Sequence, residues 1–327
     1  MQIKSINPYT EKLLQSYDPI SFDRLATVIK DAQVAFGSWK FVNIEKKLEY
    51  LEAIRNSLVS NKEKCSNMIS NEMGKVLKES ESEIDKCIWL CDYYLENSQT
   101  FLVDSIISTD SSSSYVRYEP LGIILGVMPW NFPFWQVFRF AIPTMLIGNV
   151  VMLKHAPNVT GCSNLINHIF HISGIPKNVF NNIVVDNKNV EKLIASDQVR
   201  GVSFTGSDTT GKIIGGMAGQ NLKPMVLELG GSDPFIVFDD ADIDECVEGA
   251  ISSRFINSGQ SCIAAKRFIV HNRVYNDFKS KIVERVEKLK VGNPLSLKSD
   301  IGPLARKDLV EIINYQISLS IDKGAKL

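Results

Sequence analysis

The sequence predicts an α/β protein built around a parallel β-sheet, and two observations lead to this prediction. Short apolar runs rich in β-branched residues, each bounded by turn residues, recur at 122–127, 149–154, 180–185, 201–205 and 225–229. Segments long enough for a helix separate these runs, a rhythm that is typical of βαβ units. Right-handed crossovers place the loops that follow such strands at one edge of the sheet, where ligands bind in open α/β folds.

Helices are predicted for the first hundred residues. Apolar residues recur at helical spacing over 44–58, directly after Asn43, a residue type suited to an N-cap. A second apolar stripe at 84–95 contains Cys87 and Cys91, which we assign to core packing.

Two further regions flank the predicted sheet. The polar tract 108–114 is expected to form a surface loop, and a short strand-like piece follows it at 115–118. After the sheet, a helix near 242–256, a strand near 267–271 and a helix near 274–290 begin another α/β unit.

Length and composition are those of a globular protein of about two domains. The 327 residues are 44% hydrophobic and 22% charged, which excludes the disordered and fibrous classes. The 36 basic and 37 acidic residues nearly cancel, whereas nucleic-acid-binding and membrane-surface proteins normally carry a basic surplus. We therefore expect neither a nucleic acid nor a membrane as a partner.

The cysteines indicate a reducing compartment. Six cysteines occur without a CxxC pair, and with only four histidines available no metal site is expected. The N-terminal residues lack the apolar stretch of a secretory signal, so we expect a cytoplasmic protein. The uncharged segment 120–138 approaches a membrane-spanning length, but Pro129, Asn131 and Pro133 interrupt it. It is better interpreted as a buried strand, a turn and the start of a helix.

Two residues could act directly on a substrate. Cys262 ends the small polar stretch 257–262, and an exposed loop thiol of this kind is either a nucleophile or an incidental cysteine. Glu228 interrupts the apolar strand 225–229. Partial burial there would favour its neutral form and suit it to general-base chemistry, the alternative being a capped or salt-bridged structural acid.

Two further segments could bind charge. Asn131 lies between aromatic residues and prolines in the segment 128–135, where it either offers a fixed N–H donor to an oxyanion or serves as a turn asparagine. The turn 206–211 opens a helix, whose first backbone N–H groups favour a phosphate. An ordinary helix cap is the alternative for this turn.

Together these segments resemble one family, the aldehyde dehydrogenases. The motifs MPWNFP, VMLK, FTGS, LELGG and NSGQSC occur in the family's order at 128–133, 151–154, 204–207, 227–231 and 257–262. Their spacing, including that from Glu228 to Cys262, also fits the family. The phrases LKHAPNV and LELGGSDPFIV are most similar to the NAD(P)-dependent succinate-semialdehyde dehydrogenase branch.

The resemblance implies an aldehyde-dehydrogenase-like fold, in which a Rossmann-type parallel-sheet cofactor domain is joined to an α/β catalytic domain. We expect the dinucleotide-binding domain, with the N-terminal helices, at 1–110 and 121–229, an oligomerisation strand at 111–120, and a partial catalytic domain at 230–327. Family members are about half as long again, so the chain resembles a C-terminally truncated portion with an incomplete catalytic domain. A homo-oligomer is expected of a complete chain rather than of this one.

The resemblance also implies residue roles. Cys262 matches the nucleophile that forms a thiohemiacetal and then a thioester, and Glu228 matches the base that activates water to hydrolyse the thioester. The Asn131 side chain and the Cys262 backbone N–H match the oxyanion hole. The implied cofactor is NAD or NADP, and the matching contact positions are Trp130, Asn131, Lys154, Gly206, Ser207, Gly211 and Leu229.

Cofactor choice is addressed by the residues after Lys154. Many NAD-preferring relatives place an acid three residues after this lysine, where it would repel a 2′-phosphate. Residues 155–157 are His, Ala and Pro here, so we expect NADP to be accepted alongside NAD.

Arg139 is the predicted substrate contact. It lies eight residues after Asn131 in an apolar stretch and matches a carboxylate-binding arginine of semialdehyde-oxidising relatives. The alternative is an arginine paired with a structural acid. A second arginine of some relatives corresponds to Ile256 here.

The sequence therefore predicts oxidation of a small-molecule aldehyde, with succinate semialdehyde favoured, to the carboxylic acid. A thiol hydrolase or acyltransferase that uses Cys262 without a cofactor is one alternative, and Lys154 and the turn 206–211 argue against it. The other is a truncated, inactive remnant that at most binds dinucleotide. For the short chain alone we expect little activity and poor solubility, because missing strands would leave sheet edges open.

Overall fold

Strands and helices alternate along residues 2–327, the part of the chain that the computed structural model describes. The strands are β1 (Ile3–Ile6), β2 (Leu13–Tyr17), β3 (Ser105–Ile106), β4 (Tyr115–Val116), β5 (Ile123–Met128), β6 (Val150–His155), β7 (Phe180–Asn182), β8 (Val199–Thr205), β9 (Met225–Glu228), β10 (Asp233–Val237) and β11 (Ala265–Val270). The helices are α1 (Phe22–Trp39), α2 (Ile44–Ser60), α3 (Lys62–Met73), α4 (Leu77–Asn97), α5 (Trp135–Leu146), α6 (Thr160–Ile172), α7 (Val190–Ala195), α8 (Asp208–Gln220), α9 (Ile243–Phe255), α10 (Tyr275–Glu287) and α11 (Lys307–Asp322).

The first of two compact units contains residues 2–5, 15–65 and 81–229. Its centre is a five-stranded sheet in the order β7-β6-β5-β8-β9, and every neighbouring pair runs parallel. The chain builds outward from β5 to β7 on one side and then returns to place β8 and β9 on the other. This order is that of a Rossmann sheet, whose ligand crevice lies where the strand order reverses. The predicted α/β fold with a parallel sheet is confirmed.

Burial varies strongly across this sheet. All six residues of β6 and all but Ile124 of β5 are buried, as expected for central parallel strands covered on both faces. The edge strand β9 is exposed at all four positions. The third predicted strand of the sheet, 180–185, ends at Asn182.

The predicted helices of the N-terminal region are present. Helix α2 begins after Asn43, whose side chain accepts a hydrogen bond from the Lys46 backbone N–H at 2.9 Å, so the predicted N-cap is confirmed. Cys87 and Cys91 are fully buried in α4, as core packing predicts. Burial raises the pKa of the Cys91 thiol to about 12, which keeps it protonated.

The segments on either side of the polar tract pair with each other. Strands β3 and β4 run antiparallel, with Ser105 opposite Val116 and Ile106 opposite Tyr115. The tract 108–114 lies between them as the predicted loop. The strand-like piece expected at 115–118 is limited to β4. At 120–138 the chain forms β5, a turn and the start of α5, and no helix described within residues 2–327 is both long and apolar enough to cross a membrane.

The second unit contains residues 6–14, 66–80 and 230–327. Strands β10 and β11 form a parallel pair, and α9 and α10 bury a small core with them. The fully buried members of that core are Val237, Val247, Ala250, Ile251 and Phe278. Helix α11 has no buried residue.

Two segments of the second unit differ from the predicted domain boundaries. Residues 6–14 and 66–80 were expected within the first domain. Instead, the Asn7 side-chain amide donates to the Asn71 side-chain oxygen at 3.1 Å. The Leu77 backbone N–H donates to the Pro294 carbonyl at 2.8 Å. Such hydrogen bonds between distant segments leave no local pattern in the sequence.

Candidate active site

The carboxyl ends of four parallel strands bring most of the predicted residues of the first unit to one edge of the sheet. Val127 of β5 is in register with Lys154 of β6 and with Phe204 of β8. Thr205 is in register with Glu228 of β9. Asn131 follows β5 and Gly206 follows β8. The same edge of the sheet therefore carries four kinds of group: the Asn131 amide, the Lys154 ammonium, the backbone N–H groups after Gly206 and the Glu228 carboxylate.

Asn131 belongs to the turn 129–134, here named the Asn131 turn, which His155 holds from one side. The His155 ring is buried, and its Nδ1 accepts from the Ala156 backbone N–H at 2.8 Å. Its Nε2 therefore donates to the Pro133 carbonyl, also at 2.8 Å. Burial lowers the pKa of His155 to about 4, so this contact is made by a neutral ring near pH 7.

Glu83 holds the end of the Asn131 turn where α5 begins. Its Oε1 accepts hydrogen bonds from the backbone N–H groups of Phe134 at 2.8 Å and Trp135 at 3.0 Å. The Glu83 residue is only 4% exposed, so the carboxylate satisfies buried donors at the helix start. Sequence reasoning missed both Glu83 and His155. The position of Glu83, directly before the apolar stripe 84–95, was the one sequence feature that could have indicated its role.

Lys154 is buried at the end of β6. Its Nζ donates to the Asn187 side-chain oxygen at 2.7 Å. Burial lowers the pKa of the Lys154 ammonium to about 8, and the nearby Asp186 carboxylate opposes this shift. The lysine is thus mostly charged at neutral pH and loses its proton under mildly alkaline conditions.

The turn after β8 supplies backbone N–H groups at the start of α8. Ser207 is the N-cap, and its Oγ accepts from the Thr210 backbone N–H at 3.3 Å. The Gly206 N–H donates to the Glu228 carbonyl at 3.0 Å. A Cβ on Gly211 would lie 2.4 Å from Cδ2 of Leu229, so glycine permits the close packing of α8 on the residue after β9.

Glu228 is exposed rather than partly buried, which corrects the sequence-based expectation. Its side chain is 53% exposed because β9 is an edge strand. Its Oε2 lies 3.5 Å from Nη2 of Arg139, and the same nitrogen donates to Oγ1 of Thr205 at 3.2 Å. Arg139 is therefore paired with an acid. That acid is Glu228, the residue predicted to act as the general base. Trp130 is half-buried beside Asn131 in the chain.

Cys262 lies in the second unit, in a segment with unusual backbone geometry. The segment 256–264 is here named the Cys262 loop. Asn257, Ser258 and Gly259 have φ angles of 56°, 55° and 76°, three consecutive residues in the left-handed region. For Ser258 this conformation is unfavourable, and surrounding contacts must maintain it.

Hydrogen bonds from side chains maintain the Cys262 loop. The Asn257 backbone N–H donates to Oε1 of Glu79 at 2.9 Å, and Ser258 Oγ donates to the Gly302 carbonyl at 3.1 Å. Oε1 of Gln260 accepts from the Ala305 backbone N–H at 2.9 Å. These contacts leave the Cys262 thiol half-buried.

The arrangement suits anion binding and acid–base chemistry. The edge of the five-stranded sheet combines N–H donors, a lysine and an exposed carboxylate. By itself, the second unit contains a half-buried thiol. Within residues 2–327, no group of three or more His, Cys, Asp or Glu side chains is arranged to hold a metal ion.

The sequence matches the model of the aldehyde dehydrogenase family over residues 1–327. A succinate semialdehyde dehydrogenase (NAD(P)+), Sad, of Escherichia coli is 39% identical over 323 residues, covering 99% of this chain and 70% of the relative. A succinate-semialdehyde dehydrogenase (NADP+) of Mycobacterium tuberculosis is 40% identical over 328 residues, covering 99% and 72%.

Solved structures agree with these matches. The crystal structure of succinic semialdehyde dehydrogenase from Streptococcus pyogenes, in complex with NADP+, has a TM-score of 0.97 to this chain at 33% identity. The superposition covers 99% of this chain and 72% of that one.

Proposed function

This chain belongs to the aldehyde dehydrogenase family, and from that premise we propose that it oxidises succinate semialdehyde to the dicarboxylic acid with NAD(P)+. The observation that carries the proposal is the sheet edge on which Asn131, Lys154, Gly206 and Glu228 meet. Both relatives described above are named succinate-semialdehyde dehydrogenases and use NADP+ or NAD(P)+.

The residues of this edge fit a dinucleotide. The N–H groups at the start of α8, beside Gly206 and Ser207, suit a pyrophosphate, and Gly211 keeps the helix close to Leu229. Lys154 suits the adenosine ribose or its 2′-phosphate. Trp130 and Asn131 complete the proposed contacts. When bound, NAD(P)+ accepts the hydride that leaves the substrate carbon.

The protein's own groups would carry the remaining chemistry. The Cys262 thiol loses its proton to solvent, and the thiolate adds to the aldehyde carbon. The tetrahedral oxyanion that forms accepts hydrogen bonds from the Asn131 side chain and the Cys262 backbone N–H. Loss of hydride leaves a thioester on Cys262. Glu228 then takes a proton from a water molecule that attacks the thioester carbon, which releases the acid and frees the thiol.

Arg139 is proposed to bind the second carboxylate of the substrate. A guanidinium group offers two parallel N–H donors to a carboxylate. The pair with Glu228 at 3.5 Å is long, and the Arg139 side chain is 31% exposed, which supports an exchange of partners. In this proposal the arginine releases Glu228 when the substrate carboxylate arrives, leaving that base able to act on water.

The test mixes residues 1–327 with succinate semialdehyde and NADP+ and follows NADPH formation. Cys262→Ser should remove whatever turnover the wild-type chain shows, whereas Cys246→Ser, at a second half-buried cysteine, should retain it. Glu228→Gln should form about one equivalent of NADPH and then stall, because the thioester is no longer hydrolysed.

Other outcomes of this assay would favour the alternatives. Wild-type turnover by Cys262→Ser would contradict the proposal. Ester hydrolysis that depends on Cys262 but not on NADP+ would support the thiol hydrolase. Binding of NADPH, detected through tryptophan fluorescence, without aldehyde turnover would support the inactive, dinucleotide-binding alternative.

A further inference from the structure

Backbone carbonyl groups of the Cys262 loop surround the ammonium group of Lys266, a residue of β11. Its Nζ donates to the carbonyl oxygens of Ser261 at 2.9 Å, Cys262 at 3.0 Å and Ala264 at 3.2 Å. A lysine ammonium carries three N–H donors, and these three carbonyls are enough to engage all of them. The neighbouring Arg267 is exposed instead, and its Nε donates to the Ser232 carbonyl at 2.8 Å.

One of these contacts has a consequence for the predicted oxyanion hole. The carbonyl of Ser261 and the N–H of Cys262 belong to the same planar trans peptide and point in opposite directions. Holding the Ser261 carbonyl against Nζ therefore also fixes the direction of the Cys262 N–H. The contact with the Cys262 carbonyl fixes the next peptide plane as well.

The charges around Lys266 come from three elements of the second unit. Arg254 on α9 and burial both lower the pKa of Lys266, with burial the larger cause. Asp233 on β10 and Cys262 itself act in the opposite direction. Asp233 is thus the acidic neighbour that favours the charged form of Lys266, against the larger effect of burial.

We propose that Lys266 is a positioning residue for Cys262, one that fixes the peptide planes around the thiol through three carbonyls. This inference rests on the proposed function only in taking Cys262 as the nucleophile. The loop is strained at Asn257 and Ser258, and Lys266 closes its other end.

The test measures thiol reactivity and needs neither aldehyde nor dinucleotide. The full chain is treated with iodoacetamide across a range of pH, and the alkylation of Cys262 and Cys246 is measured separately by peptide mass spectrometry. Lys266→Met removes all three N–H donors from the loop carbonyls and should change the alkylation rate of Cys262 by about threefold or more. Cys246, on α9, is the internal reference and should not change.

Two further variants refine this test. Lys266→Gln keeps an N–H donor for the loop carbonyls, so it should change the Cys262 rate less than Lys266→Met does, and it decides the question if Lys266→Met melts early. Arg267→Met removes the adjacent, exposed cation and should leave the Cys262 profile unchanged. An unchanged Cys262 rate in Lys266→Met, or an equal change in Arg267→Met, would overturn the proposal.

Discussion

The Asn131 turn and the Cys262 loop carry the two predicted groups of the oxyanion hole, but different forces hold them. The Asn131 turn is fixed by buried partners, the Glu83 carboxylate and the neutral His155 ring. The Cys262 loop keeps a strained left-handed stretch in place through Glu79, which is half-buried, and through Lys266. The Asn131 turn is stabilised by hydrogen bonds to partners that are removed from water. The Cys262 loop is stabilised by a set of hydrogen bonds that can each be replaced by a bond to solvent.

This difference makes the two segments vulnerable to different changes. Loss of a buried acceptor leaves N–H groups that water does not reach, whereas loss of a partly exposed one is compensated by solvent. The Asn131 turn should therefore respond to mutation mainly in stability, and the Cys262 loop mainly in the reactivity of its thiol.

The largest expected effect is that of Glu83→Ala. The buried Phe134 N–H and the partly buried Trp135 N–H lose their acceptor, which should cost about 3 kcal/mol in the free energy of unfolding. Glu83→Gln keeps an acceptor oxygen and should cost less. All four tryptophans lie in the first unit, so urea unfolding followed by their fluorescence reports on it.

Glu79→Ala is the matched comparison. Because Glu79 belongs to the second unit, which contains no tryptophan, the urea unfolding of this variant is followed by circular dichroism. The substitution removes the acceptor of the Asn257 N–H from a half-buried site, for an expected cost of about 1 kcal/mol. It should also change the alkylation rate of Cys262, which Glu83→Ala should not. Equal losses of stability in the two variants would mean that burial does not distinguish the segments.

A fall in pH should have the next largest effect on the stability of the first unit. The pKa of His155 is about 4 in the folded protein and 6.5 in the unfolded chain. As the pH falls, the unfolded chain therefore binds a proton before the folded protein does. The contribution of neutral His155 to the free energy of unfolding is fully present above about pH 6.5. It falls by up to about 3 kcal/mol as the pH approaches 4. His155→Gln should be less stable at pH 7 but show a flatter pH dependence by tryptophan fluorescence. A wild-type slope in that variant would assign the effect to other groups.

Arg139→Leu should raise the KM for succinate semialdehyde about tenfold, because a charge-assisted pair with the substrate carboxylate is lost. The KM for an uncharged aldehyde of similar length should change little. Alkylation of Cys262 is the control that reports whether the second unit is intact in this variant. Equal rises in KM for both aldehydes would make Arg139 a structural partner of Glu228.

The smallest effect concerns Lys154 and pH. Its pKa of about 8 means that the ammonium is charged below that pH and neutral above it. Binding of NADP+ should therefore weaken several-fold as the pH rises from about 7 to 9, with the attraction to the 2′-phosphate lost. Lys154→Met should bind NADP+ more weakly throughout and with a flatter profile. Strict rejection of NADP+ by the wild type would contradict the cofactor prediction.

Sequence patterns predicted the features that follow from strand order. Lys154 and Gly206 end apolar runs, and parallel strands put such ends on one edge. The exposure of Glu228 was not predictable, because the apolar run before it resembles a buried strand although β9 lies at the sheet edge. Strand β10 was missed because Pro234 weakens its pattern.

The geometry of the Cys262 loop was beyond sequence reasoning for another reason. Its left-handed residues are held by Glu79 and Gly302, which are distant in the chain. The role of Lys266 depends on the directions of three carbonyl groups. Such directions follow from the complete fold and leave no periodic signal.

The central position of β5 has a consequence for the order in which the first unit assembles. Ile124 of β5 pairs with Val151 of β6, which follows after one helix, and with Gly201 of β8, which is far more distant in sequence. Closing the longer loop costs about 1 kcal/mol more in chain entropy, and such non-local pairing slows folding. The β5–β6 pair should thus form first, and on the ribosome the sheet edge that binds β8 stays open until residues 199–205 emerge. During that interval β5 is the point at which a chaperone or a second nascent chain has access to the core.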